Sequence, residues 1–152
     1  MDTERARSLA QSIIPATGGE ADPNFVVFGV ILSLNWEDEP MIWVPKIKGS
    51  AHWIAGSALG TIAVERDEVE VEFRPIAGPS WRASSTFRTV KSPDPLDNRQ
   101  WLASKWKFKL AEGDELTVDG EVALNREGSD FNEAEQFARR LLHVMVGDPI
   151  RH

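Results

Sequence analysis

The chain contains no cysteine and no tyrosine, and only 3 histidines in 152 residues. Without cysteine there is no disulfide, no thiolate nucleophile and no Cys-containing zinc site, and nothing marks an oxidising compartment. His52, His143 and His152 have no His-x-x-x-His spacing, and neither a nucleophile elbow nor a glycine-rich phosphate loop occurs. No cofactor or metal site is therefore expected. Long apolar runs are also missing: Phe25 to Leu32 is the longest, far short of the roughly 20 residues that span a bilayer. The opening Met1-Asp2-Thr3-Glu4-Arg5 lacks the apolar core of a secretion signal. A cytoplasmic protein with no membrane contact is the expectation.

Positive charge is scarce as well, 17 Lys and Arg against 24 Asp and Glu, for a net charge of -7. Nucleic-acid binding requires a concentrated basic surface. Lys105, Lys107 and Lys109 form the one basic stripe, and the pairing derived below sets Asp119 and Glu121 against it. An acidic balance instead suits a basic protein partner.

What is present is β alternation. Ile62, Val64, Val69, Val71 and Phe73 alternate with polar residues, and a turn at Arg66-Asp67 sets Val64 opposite Val69 and Ile62 opposite Val71. The same register places Glu65 directly opposite Glu68, an electrostatic cost on the outer face. Beyond Ile76-Ala77-Gly78-Pro79-Ser80, pairing Phe73 with Trp81 sets Glu72 against Arg82. In a further hairpin Leu102, Trp106, Phe108 and Leu110 alternate with Ala103, Lys105, Lys107 and Lys109. A turn at Glu112-Gly113-Asp114 then sets Phe108 opposite Val118, Lys107 opposite Asp119 and Lys105 opposite Glu121.

Phe25 to Trp36 is apolar on both alternating sets and reads as a central strand covered on both faces. Met41 to Lys48 reads as a strand that Pro45 confines to an edge or bulge. The glycine-rich Gly49 to Gly60 suits a loop or close backbone approach, and Ser92 to Arg99 suits a surface loop. Helical spacing appears at the two ends. Ala6, Leu9, Ala10 and Ile13 follow a cap at Asp2 or Thr3 and stop at Pro15. Ala134, Phe137, Leu141, Val144 and Met145 follow a capping box at Asp130-Phe131-Asn132-Glu133 and end at Gly147 and Pro149.

These elements predict one α+β domain over residues 1–152: an N-terminal helix over 1–15, an antiparallel sheet over 24–126 and a C-terminal helix over 130–147. The sheet is expected to be curved, or a partly open barrel, with about seven strands. In layout this resembles helix-grip, cystatin-like and pleckstrin-homology-like architectures; no motif of those families occurs and no residue role is carried over.

The function expected is a non-enzymatic protein-binding module, such as an inhibitor, immunity-type protein, adaptor or chaperone. Its binding surface for a basic protein would comprise Trp36, Glu37, Asp38, Glu39 and Trp43 together with Glu68 and Glu70. The alternative is a small-molecule carrier or enzyme with an apolar pocket between sheet and C-terminal helix, lined by Trp53, Trp101 and Phe137 with His52 at its mouth. The sequence leaves the oligomeric state open.

Overall fold

The computed structural model describes residues 1–14, 23–37, 40–65, 68–76, 81–92, 94–110 and 113–146. The connector before Pro23, the Arg66-Asp67 turn, Ala77 to Ser80, Glu112, and the Gly147 and Pro149 stop lie outside the described residues. Among the described residues the chain is α+β, with three helices and two separate four-stranded antiparallel sheets in place of one sheet of about seven strands. It divides into two compact units, Met1–Pro75 and Ile76–His152. Among the described residues no helix is long and apolar enough to cross a membrane.

In the first unit, helix α1 (Thr3–Ile13) starts where Asp2 Oδ1 accepts the Arg5 N–H at 2.7 Å, and buries Ala6, Ala10 and Ile13. Helix α2 (Pro23–Ser33) occupies the segment expected to be a central strand. The correction has a simple cause, because a strand covered on both faces and a packed helix both read as unbroken apolar sequence. Eleven residues opening on a proline favour the helix, since proline at a first helical position loses no hydrogen bond. Val27 and Ile31, one turn apart, face the core, while Val26 and Leu32 stay exposed.

The first sheet has strand order β1-β2-β3-β4, comprising β1 (Ile42–Trp43), β2 (Ser50–Ala55), β3 (Ala58–Glu65) and β4 (Glu68–Pro75). The β3–β4 ladder has the anticipated register, Val64 opposite Val69, Ile62 opposite Val71 and Glu65 opposite Glu68. The segment with Pro45 shrinks to the two residues of β1, at the sheet edge. The glycine-rich stretch is a hairpin rather than a loop: Ala55 pairs with Ala58, and Gly56 at φ 59 takes the left-handed conformation of its turn. α1 and α2 cover the face that carries Ala51, Trp53, Ile62, Val64, Val69 and Val71.

Close backbone approach does occur there, at Gly60. The Trp53 indole lies across it and meets Phe73 edge-on at a centroid distance of 5.8 Å. A Cβ on Gly60 would come within 2.6 Å of Trp53 Cζ2 and 2.7 Å of its Nε1. Gly60→Ala is therefore expected to cost about 1–3 kcal/mol through overpacking, read as a lower urea midpoint with altered tryptophan emission. Wild-type stability in that variant would refute the packing assigned here.

The second unit is a meander of β5 (Arg82–Val90), β6 (Gln100–Lys109), β7 (Glu115–Asn125) and β8 (Gly128–Phe131), with α3 (Glu133–Val146) packed on β7. β4 and β5 belong to different sheets, so the expected Phe73–Trp81 pairing is not formed. Glu72 takes Arg74, its neighbour along the strand, instead of Arg82. The β6–β7 register is two residues away from the expected one: Phe108 faces Leu116, Lys107 faces Thr117 and Lys105 faces Asp119. Leu110 N–H donates to Asp114 O at 2.8 Å and Gly113, at φ 88, donates to Leu110 O at 3.1 Å. The left-handed residue of a three-residue hairpin loop is its last, so Gly113 closes the loop instead of centring it. An even shift keeps every side chain on its face. The cap of α3 is Asn132, not Asp130: Asn132 Oδ1 accepts the Glu135 N–H and the Glu121 N–H, each at 3.0 Å.

Candidate functional site

Negative charge is concentrated in the first unit. Residues 1–75 hold 6 Lys and Arg against 12 Asp and Glu, and residues 76–152 hold 11 against 12, so the first unit carries -6 of the net -7. On the sheet face away from the helices, Glu65, Glu68 and Glu70 are exposed, and no cation among the described residues pairs with them. Glu65 and Glu68 face each other directly across the ladder. Like charges placed so are mutually destabilising unless solvent or a cation offsets them.

The residues expected to share one acidic surface separate into two places. Glu37 Oε1 accepts the Gly56 N–H at 3.0 Å, at the β2–β3 turn. Glu65 and Glu68 lie at the other end of β3, a strand of 8 residues, and so roughly 25 Å away. Asp38 and Glu39 lie outside the described residues. Trp36 is half-buried, donates its indole N–H to Ile31 O at 2.7 Å and packs on Trp53 at 4.9 Å. Trp43 is buried and stacks on His52 at 5.3 Å. Trp53, Trp81 and Trp106 are buried too, and Trp101 is half-buried, so among the residues whose burial is described the exposed aromatics are Phe73 at 53% and Phe87 at 43%.

His52 lies on β2 with Nδ1 2.9 Å from Thr61 Oγ1. Burial lowers its pKa from 6.5 to about 4, so the imidazole is neutral at pH 7. The four residues of the alternative pocket fall in different units, His52 and Trp53 in the first, Trp101 and Phe137 in the second. Phe137 is fully buried on α3. Trp101 lines an open groove of about 560 Å³ beside Thr89, Lys91, Asp94, Pro95 and Gln100. There Asp97 binds Arg99 at 2.8 Å and accepts the Trp101 indole N–H at 3.1 Å, and Arg99 sits 5.1 Å over the Trp101 ring. The Arg99 hydrogen bonds hold the Asp97 carboxyl well below the usual carboxylate range.

The feature missed in the sequence is Glu135. Fully buried on α3, its Oε2 accepts from Ser104 Oγ and, at 3.0 Å, from Trp106 Nε1, while Oε1 accepts Arg139 Nε at 2.9 Å. Gly120, opposite Ser104 on β7, provides the space for it. With both oxygens occupied and no opening to solvent, this carboxylate holds the helix to the sheet. Ser104 opposite Gly120, two small residues on the otherwise apolar face, marks the place only in the observed register; the expected one sets Ser104 opposite Val122.

Among the described residues no group of three or more His, Asp or Glu is disposed to hold a metal ion. Comparison with known proteins brings up no matching family model, curated protein or solved structure.

Proposed function

We propose that the chain is a non-enzymatic cytoplasmic protein-binding module whose acidic first unit holds a basic partner protein. The observation that carries this reading is the row Glu65, Glu68 and Glu70, unpaired among the described residues, with two of its carboxylates directly opposed. A basic partner would relieve that repulsion while its own charge steers the encounter. Glu37, held by the Gly56 N–H at the other end of β3, stands apart from this row. The tryptophans serve this reading as rigid support rather than as free anchors: Trp36 backs Trp53, and Trp43 backs His52.

A second reading draws on the Trp101 groove, whose volume suits a small ligand. Its walls are about evenly polar and apolar, and Asp97 and Arg99 are already paired with each other, which favours the protein-binding reading.

Binding of an oligolysine peptide to the full chain, measured at low and high salt, tests the surface. Glu65→Lys, Glu68→Lys and Glu70→Lys combined should weaken binding by about tenfold or more and flatten its salt dependence. Glu115→Lys and Glu121→Lys in the second unit should leave most of the affinity in place. Unchanged affinity and salt slope in the first variant would remove the assignment.

A further inference from the structure

We propose that the free edge of β4 in one copy of the chain pairs with the free edge of β5 in a second copy, so that one sheet is extended by the other. The proposal rests on the reading of the glutamate row as a recognition surface and names a basic strand of the same chain as its partner.

Both strands are sheet edges, each with a single ladder neighbour among the described residues. β4 runs for 8 residues and β5 for 9, each paired to its one neighbour without a bulge. Natural edges are usually blunted by proline, a bulge or an inward-pointing charge. No proline stands between Glu68 and Arg74 or between Arg82 and Val90, and the inward sides carry Val69, Val71 and Phe73 on β4 and Ala83, Ser85, Phe87 and Thr89 on β5. Those sides also present two exposed phenylalanines, Phe73 and Phe87. Each is left half in solvent where one further strand would cover it.

The outward sides are complementary. β4 carries Glu68, Glu70, Glu72 and Arg74, the last two paired with each other; β5 carries Arg82 and Arg88, which form no ion pair among the described residues, with the Lys105, Lys107 and Lys109 row on the adjacent β6. Side chains alternate with a period of two, so a register that aligns the phenylalanine sides also places the glutamates of β4 and the arginines of β5 on one face. A β4–β4 pairing brings together two faces of net negative charge and a β5–β5 pairing two faces of positive charge, so net repulsion disfavours the like pairings. A nucleic-acid strand is disfavoured on the β5–β6 face because Asp119 lies directly across from Lys105 and Glu115 from Lys109. The interface is heterologous: two copies close it reciprocally, or more copies form a ring or a chain.

Sedimentation equilibrium of the full chain across a concentration series, at low and high salt, tests the pairing. The wild-type mass should rise with concentration and fall back toward the monomer at high salt. Glu68→Arg with Glu70→Arg, and separately Arg82→Glu with Arg88→Glu, should each weaken self-association by about tenfold or more. All four positions are exposed, so circular dichroism should show both variants folded. Mixing the two variants restores opposite charge across every β4–β5 contact and should restore association. A wild type that stays monomeric throughout, variants that associate like wild type, or a mixture that stays dissociated would each overturn the proposal. Monomeric wild type that still binds oligolysine through Glu65, Glu68 and Glu70 overturns this inference alone and leaves the acidic-surface reading standing.

Discussion

Glu135→Ala should destabilise the second unit by about 3–5 kcal/mol, the range for removing one partner of a buried charged network. The substitution leaves Trp106 Nε1 and Ser104 Oγ without their acceptor inside the core, and each stranded donor costs about 1–3 kcal/mol. It also leaves the space above Gly120 empty. Glu135→Gln keeps one oxygen to accept hydrogen bonds and should cost roughly half as much. Urea unfolding followed by tryptophan emission reads both effects, since Trp106 is a direct partner. Gly120→Ala supplies an internal check. Its Cβ would lie 2.7 Å from Ser104 Oγ and 3.0 Å from Glu135 Cα, and it would overlap the Glu135 carboxylate. It should therefore cost clearly less in the Glu135→Ala background than in wild type, a coupling that distant sites do not show. A loss below about 1 kcal/mol for Glu135→Ala would mean that the carboxylate does not lock the helix to the sheet.

Acidification should weaken the first unit through His52. In the unfolded chain this imidazole takes up a proton near pH 6.5; in the folded unit burial delays protonation to about pH 4. Between those values the unfolded state binds more protons, so stability falls as pH falls and levels off below the folded value. At 1.36 kcal/mol per pKa unit the loss is on the order of 3 kcal/mol. Carboxylates titrate over part of the same range, so the informative quantity is the difference from His52→Gln, whose side chain also reaches toward Thr61. That variant should lose less stability than wild type between pH 6.5 and 4. Parallel pH profiles for the two proteins would contradict the buried, neutral histidine.

What was legible in the sequence followed from side-chain period. In β3 and β4 each apolar residue has one partner that keeps both on the core face, and the register came out residue by residue. In β6 and β7 the same logic gave the faces, but the turn depended on which position of the loop Gly113 occupies. Period is silent about the neighbour of an edge strand. An exposed Glu72–Arg82 pair offers at most about 1 kcal/mol, and Arg74 supplies an equivalent cation within the strand. Apolar runs without period are ambiguous too, and α2 was mistaken for a strand for that reason.

The candidate site was less legible, because exposure depends on what covers a residue. Trp36 and Trp43 border an acidic turn in sequence but are held against Trp53 and His52. The glutamates were readable as outward-facing from alternation alone, and Glu65, Glu68 and Glu70 are exposed. Glu135 was not, since a carboxylate in the first turn of a helix ordinarily complements the dipole in solvent.

The acidic first unit is proposed to hold a basic partner protein. The most direct test is capture on the immobilised full chain from the native lysate at low and high salt. Retained proteins and small molecules are identified by mass spectrometry, and the retained protein is then purified and titrated against wild type and the Glu65→Lys, Glu68→Lys, Glu70→Lys variant. The account predicts a stoichiometric basic protein that is lost at high salt and binds the variant at least about tenfold more weakly. A retained small molecule with no protein partner, or a partner indifferent to salt and to those three charges, would contradict it.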